Sequence, residues 1–256
     1  MTDAFFVPSG DGFVATPHTR GPWSPTHQHG GPPTALMAHL VEKSAADFAV
    51  ARVSVDFLRP VPIDRVVVRL ETLRAGAKVR RVTATLAHGD VAVVYAVFTL
   101  IRTGEVAVPR VATDAALPAP EGSPPFEFPF FGAPGGYHTA MESRVARGRW
   151  GSGRVALWMR QRVPLLPDAP PSPLTRVLVA ADSGSGVSAA IDHRTHTGIN
   201  ADLTVHLHRA LEGEWVGLDS ISTYERTGVG LADTRLYDAR GPVGRALQSL
   251  VLEARS

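Results

Sequence analysis

Hydrophobic positions change period several times along the chain, and each change marks an element. Pro32 and Pro33 open a stretch in which Leu36, Met37, Leu40 and Val41 recur at helical spacing, so a helix is expected from about Pro32 to Ala46. The text then turns β-branched. Ala51–Leu58, Arg65–Leu73, Lys78–Ala87 and Val91–Ile101 read as strands, separated by Pro60-Val61-Pro62, Ala75-Gly76 and His88-Gly89-Asp90. One helix followed by an antiparallel meander is the predicted unit.

Thr103–Gly136 carries Pro109, Pro118, Pro120, Pro124, Pro125, Pro129 and Pro134, a density that excludes regular structure. Phe126, Phe128, Phe130 and Phe131 lie inside it, so this linker is expected to be pinned onto a core. Beyond it, Met141–Arg162 is strand-like. Ser172-Pro173 then caps a helix whose Leu174, Val177, Leu178 and Ala181 form one stripe, with Gly184 and Gly186 at its end. Strands follow at Ile199–Arg209, Trp215–Tyr224, Gly228–Tyr237 and Val243–Glu253.

The first of these alternates strictly. Ala201, Leu203, Val205 and Leu207 fall on one side, and Asn200, Asp202, Thr204, His206 and His208 on the other. The second half also repeats the first: Val53–Arg59 lies over Leu203–Arg209, and Val91–Leu100 over Val243–Leu252. Internal repetition constrains architecture strongly. The expected class is α+β, a helix wrapped by an antiparallel sheet, twice, with repeats over residues 1–108 and 137–256 and a Pro-rich linker over 109–136.

Composition narrows the chemistry. With no cysteine in 256 residues, thiolate nucleophiles and Cys-based zinc sites are excluded. A net charge of +2 with both signs interspersed offers no footprint for nucleic acid, and Lys78, Arg80 and Arg81 read as a solvated strand face. No run approaches the roughly twenty apolar residues of a membrane helix, and Asp3 stands where a signal peptide carries a base, so a cytoplasmic protein is expected. The histidine pairs His27/His29, His193/His196 and His206/His208 have no evident acidic partner, so no metal site is expected.

Three stretches carry a family likeness: His29-Gly30-Gly31 before the first helix, Val-x-Phe-x-Arg-Pro at Val55–Pro60, and Asp202 followed by His208-Arg209. On these the chain resembles the acyl-CoA thioesterase II family, whose members are fused double hot dog proteins. The resemblance implies hydrolysis of an acyl-CoA or related small-molecule thioester by an activated water, with coenzyme A as part of the substrate and no separate cofactor. It assigns that water to Asp202, Thr223 and Gln248, and substrate contact to His29, Gly30 and Gly31. The first-repeat counterparts of the trio are Arg52, Ala75 and Ala96, which implies one active centre per chain. Pro32 stands where the family carries Gln. Pairing into a homodimer stays open, because the fused repeats already mimic a hot dog dimer.

Other readings stand beside this one. A non-catalytic acyl-thioester binder is compatible with the same fold. Asp192-His193 could serve a hot dog enoyl-CoA hydratase, although that group's longer motif is absent. Ser183-Gly184-Ser185-Gly186 lacks the preceding strand of a nucleophile elbow or phosphate loop. Asp182, beside Leu178 on the flank of the second helix, is a rival acid whose ordinary reading is capping or packing.

Overall fold

The computed structural model describes residues 3–109, 111 and 115–255. Its first half runs β1 (Phe6–Ser9), β2 (Gly12–Ala15), α1 (Gly31–Ser44), β3 (Phe48–Phe57), β4 (Arg65–Ala75), β5 (Val79–His88) and β6 (Val91–Arg102). The second half starts with a single turn, α2 (Tyr137–Ala140), followed by β7 (Met141–Gly148) and β8 (Arg154–Gln161). Then come α3 (Pro173–Ala181), the short α4 (Gly184–Val187), β9 (His196–Asn200), β10 (Asp202–Leu207), β11 (Val216–Tyr224), β12 (Val229–Asp238) and β13 (Gly241–Ala254). The β1–β2 hairpin has only four residues per strand, too few for alternation to announce it.

Among the described residues the strands form one sheet in the order β1-β2-β4-β5-β6-β3-β10-β13-β12-β11-β8-β7, with β9 paired to β13. The halves therefore mirror each other outward from β3 and β10. These are the two segments that superpose in sequence, and they lie antiparallel with Val53 opposite Val205, Ser54 opposite Thr204 and Val55 opposite Leu203. Such a register is what a local two-fold relation between duplicated strands produces, with Ser54 and Thr204 at its centre. Their hydroxyls are 3.4 Å apart.

Helices α1 and α3 pack against each other as well as on the sheet. Leu36, Met37, Ala38 and Val41 of α1, and Val177, Leu178 and Ala181 of α3, are buried in a common core. Ser172 caps α3 as its sequence predicts, its hydroxyl accepting from the Thr175 amide at 3.1 Å. The helices approach closely at Gly31, where a Cβ would lie 2.2 Å from the Val179 carbonyl oxygen. Only glycine permits that approach. Of the Pro-rich stretch, residues 110 and 112–114 lie outside the described residues. Its aromatic patch is pinned as expected: Phe128 is buried, and Phe126, Phe130 and Phe131 pack against the core.

Candidate active site

The loop before α1, the end of α3, the start of α4 and the last strands meet around a cavity of about 670 Å³. Its lining is largely apolar and aromatic, with Trp23, Phe57, Phe128, Phe130, Phe131 and Tyr137 among its walls. His29, Gly30, Asp182, Ser185 and Asn200 supply polar groups. An apolar cleft with a few convergent polar side chains is the usual form of a small-molecule site.

Asp182 is the centre of the polar group. It is the C-cap of α3, and its side chain is only 4% exposed. A buried carboxylate needs donors on its oxygens, and Asp182 has two on Oδ1 with an imidazole close to Oδ2. Asn200 Nδ2 donates to Oδ1 at 2.8 Å, Gln248 Nε2 donates to the same oxygen at 3.3 Å, and His29 Nδ1 lies 3.2 Å from Oδ2. Gln248 is itself fully engaged. Its Nε2 also donates to the Asp182 carbonyl at 2.9 Å, and its Oε1 accepts from the Ser185 amide at 2.9 Å. Gln248 is buried and does not line the cavity, so it holds Asp182 from behind.

His29 stacks flat on Tyr137, with ring centroids 3.7 Å apart and planes 2° from parallel. Tyr137 is anchored in turn, its hydroxyl 2.8 Å from both the Val179 carbonyl and the Ser183 hydroxyl. Burial pushes the His29 imidazole below its ordinary pKa, and the neighbouring Asp182 charge opposes this to a lesser degree. The ring is therefore neutral near pH 7. Nδ1 also lies 3.2 Å from the Gly31 amide nitrogen, but one ring nitrogen cannot donate to a carboxylate and accept from an amide at once. The Gly31 N–H meets Nδ1 in hydrogen-bonding geometry, so Nδ1 is the acceptor there and its contact with Asp182 is one of proximity. A proton moved to Nδ1 would instead turn that nitrogen to Asp182, leave the lone pair on Nε2 and release the Gly31 N–H at the start of α1.

The structure does not bring Asp202, Thr223 and Gln248 together at the cavity. Gln248 holds Asp182 from behind, and none of the three is in the cavity lining. The cause at Asp202 is a β-bulge. Asn200 pairs with Leu250 and Thr204 with Leu247, so four steps on one strand face three on the other. The extra residue turns Asn200 inward to Asp182 and leaves Ala201 exposed. Asp202 accepts from the Ser249 amide, which the bulge would otherwise leave unpaired. Strict alternation had put Asn200 and Asp202 on one side; the bulge separates them. Thr223 is exposed on the outer face of β11, opposite Leu231 of β12, while Ser222 next to it turns inward to Ser188 at 2.7 Å.

The three residues expected to contact substrate lie together. His29 and Gly30 line the cavity, and Gly31 follows as the first residue of α1. A Cβ at Gly30 would meet Phe57 at 2.5 Å and the Asp182 carboxylate at 2.9 Å, so the loop backbone runs hard against the acid. Sequence reasoning passed over Asn200 altogether, because it shares parity with Asp202 and nothing in the text marks a bulge. Asp182 was visible as an acid beside an apolar stripe, but its partners are distant in the chain.

The C-terminal domain of the acyl-CoA thioesterase family matches residues 112–252, and the N-terminal domain of the same family matches residues 19–101. Among solved structures, a thioesterase candidate from Novosphingobium aromaticivorans is similar, with a TM-score of 0.79 and 21% identity, over 97% of this chain and 98% of that one. A hot dog protein of unknown function from Alicyclobacillus acidocaldarius has a TM-score of 0.75 and 17% identity, over 99% and 98%. An acyl-CoA thioesterase II from Mycobacterium marinum has a TM-score of 0.69 and 17% identity, over 89% and 90%. At such identities these likenesses establish the fold, a double hot dog. No curated protein sequence matches the chain.

Proposed function

Because the chain belongs to the acyl-CoA thioesterase family, we propose that it hydrolyses an acyl thioester in this cavity by direct attack of water, with His29 and Asp182 as the proton-accepting pair. The observation that carries this reading is the buried contact of Asp182 with His29, Asn200 and Gln248 beside a large apolar cleft. Two side-chain amides hold Asp182 Oδ1; in the proposed scheme the His29 proton turns from Nε2 to Nδ1 beside Oδ2, which leaves the Nε2 lone pair open to a water.

The scheme needs a base, a water and donors for the oxyanion. His29 Nε2 takes a proton from water as the water oxygen bonds to the thioester carbon. Asp182 holds the imidazole in the required tautomer and stabilises its transient positive charge, the role an acid plays behind any catalytic histidine. The carbonyl oxygen, now negative, lies against the amides of Gly30 and Gly31 at the positive end of α1. Collapse breaks the C–S bond, His29 returns the proton to the departing thiolate, and a carboxylic acid and a thiol remain. Asn200 and Gln248 are positioning residues in this scheme, since they act through Asp182. No cofactor takes part. The acyl group packs on the aromatic wall of Phe128, Phe130 and Phe131, which the Pro-rich segment supplies.

The test is thiol release from short, medium, long and aryl acyl-CoA thioesters by the parent protein and by His29→Gln and Asp182→Asn. Turnover by the parent, with losses of about 10²–10⁴ in kcat for both variants, is the expected result. Binding of these thioesters without turnover would instead make the protein an acyl-thioester carrier.

A further inference from the structure

One wall of the cavity is built from aromatic rings, and the chain fixes them in place. The Pro-rich segment supplies Phe128, Phe130 and Phe131. Its backbone is tied to β7, the Phe126 amide donating to the Ser143 carbonyl and the Val145 amide to the Pro124 carbonyl, each at 2.8 Å. Phe126 meets Phe128 edge-on, with centroids 5.0 Å apart and planes at 85°. Phe130 is the hub at which distant segments meet. Its centroid lies 5.4 Å from Phe128, 6.3 Å from Trp23 of the loop before α1, and 6.1 Å from both Trp150 of the β7–β8 turn and His193. The tip of its ring rests on α4, where a Cβ at Gly186 would lie 3.1 Å from Cζ. The Trp150 indole N–H closes the group by donating to the Gly186 carbonyl at 2.9 Å.

These rings extend the stack that begins at the reaction centre. Tyr137 lies flat on His29, Phe131 is tilted 26° from Tyr137 at 6.5 Å, Phe130 is tilted 27° from Phe131 at 5.3 Å, and Trp23 is 3° from Phe130. Near-parallel rings therefore line the way from the imidazole to the exposed Trp23. Aliphatic lining residues such as Leu58, Ile191 and Leu250 serve any apolar acyl group, whereas the rings discriminate. An aromatic pair gains about two- to tenfold in affinity beyond the area it buries, through the quadrupoles of the two rings. A flexible alkyl chain also loses rotational freedom against an unyielding wall, a cost that a rigid ring does not bear.

We propose that the acyl group of the substrate carries an aromatic ring, and that Phe130 is the residue that selects it. The inference rests on the thioesterase reading for the chemistry and adds the class of acyl group, which that reading leaves open.

The experiment compares phenylacetyl-CoA with cyclohexylacetyl-CoA and octanoyl-CoA, which match its carbon number but carry no aromatic ring. For the parent, kcat/KM should be about two- to tenfold higher on the phenylacetyl thioester than on either of the others. Phe130→Leu removes the ring while keeping an apolar side chain and should level the three, whereas Phe130→Tyr should keep the preference. Should Phe130→Leu fail to fold, Phe131→Leu removes the neighbouring ring of the same wall and is read in the same way. A purely structural role for Phe130 would lower the three rates alike and leave their ratio at the parental value. That result, or a parent without preference, overturns the assignment. Calorimetry on Asp182→Asn separates this inference from the hydrolase reading. Tighter binding of phenylacetyl-CoA than of cyclohexylacetyl-CoA supports the aryl seat even if the parent cleaves no thioester, and equal binding refutes it even if hydrolysis is brisk.

Discussion

Replacing Gly31 by alanine tests whether the close crossing of α1 and α3 sets the geometry of the active centre. The new Cβ would lie 2.2 Å from the Val179 carbonyl oxygen, 3.0 Å from its carbon and 3.2 Å from His29 Nδ1. Ordinary carbon contacts begin near about 3.5 Å, so the helices must part by roughly 1 Å. Neither can yield cheaply, because Leu36, Met37, Val177 and Leu178 on the two helices are buried in one core. Overpacking of this kind costs about 1–3 kcal/mol, and a clash with backbone belongs at the upper end. For a chain of this size that lowers Tm by about 2–4 °C per kcal/mol, or roughly 6–12 °C. Asp182 lies three residues beyond Val179, so the displacement also moves the carboxylate relative to His29. A misplacement of about 1 Å can cost on the order of 10²-fold in rate. Thermal unfolding and kcat/KM should be measured together, with Gly104→Ala as control, since nothing lies near a Cβ at Gly104. A Gly31→Ala variant with parental Tm and parental rate would refute the reasoning.

Three further outcomes follow from the same geometry. Asp202→Ala removes the acceptor for the Ser249 amide at the bulge, so Tm should fall by about 2–4 °C for roughly 1 kcal/mol while kcat stays at the parental level. Tyr137→Phe keeps the ring against His29 but breaks the contacts of its buried hydroxyl to Val179 and Ser183; a loss of about 1–3 kcal/mol is expected in denaturant unfolding. His29 has a folded pKa below that of the unfolded chain, so its stabilising contribution is complete above about pH 6.5 and is lost as pH falls through the folded value. Denaturant midpoints of the parent should therefore drop on acidification more steeply than those of His29→Phe, and equal slopes would show that His29 does not carry the effect.

Much of the fold can be read from residue periods, and the reason is physical. Long strands with one buried face alternate clearly, and α3 carries both a cap and a stripe, so Ser172, Leu174, Val177 and Leu178 announce it. The duplication was visible because β3 and β10 serve the same role in each half. The candidate site was legible only in part. His29, Gly30 and Gly31 stand out because a glycine pair before a helix is local chemistry. Gln248 stands out as a polar residue among apolar neighbours on one strand face. Asp182 and Asn200 depend on contacts across the chain, 18 residues apart and 66 residues from Gln248 in the case of Asp182. The family resemblance pointed to Asp202, but a one-residue bulge at Ala201 decides which side chain of that segment reaches the cavity.

The decisive measurement is kcat/KM on an acyl-CoA thioester for Asp182→Asn beside Asp202→Asn, each checked for parental folding by circular dichroism. A fall of about 10³ for Asp182→Asn, with Asp202→Asn close to the parent, is expected if the chemistry sits at the end of α3. Loss of activity in Asp202→Asn with Asp182→Asn still active would contradict it.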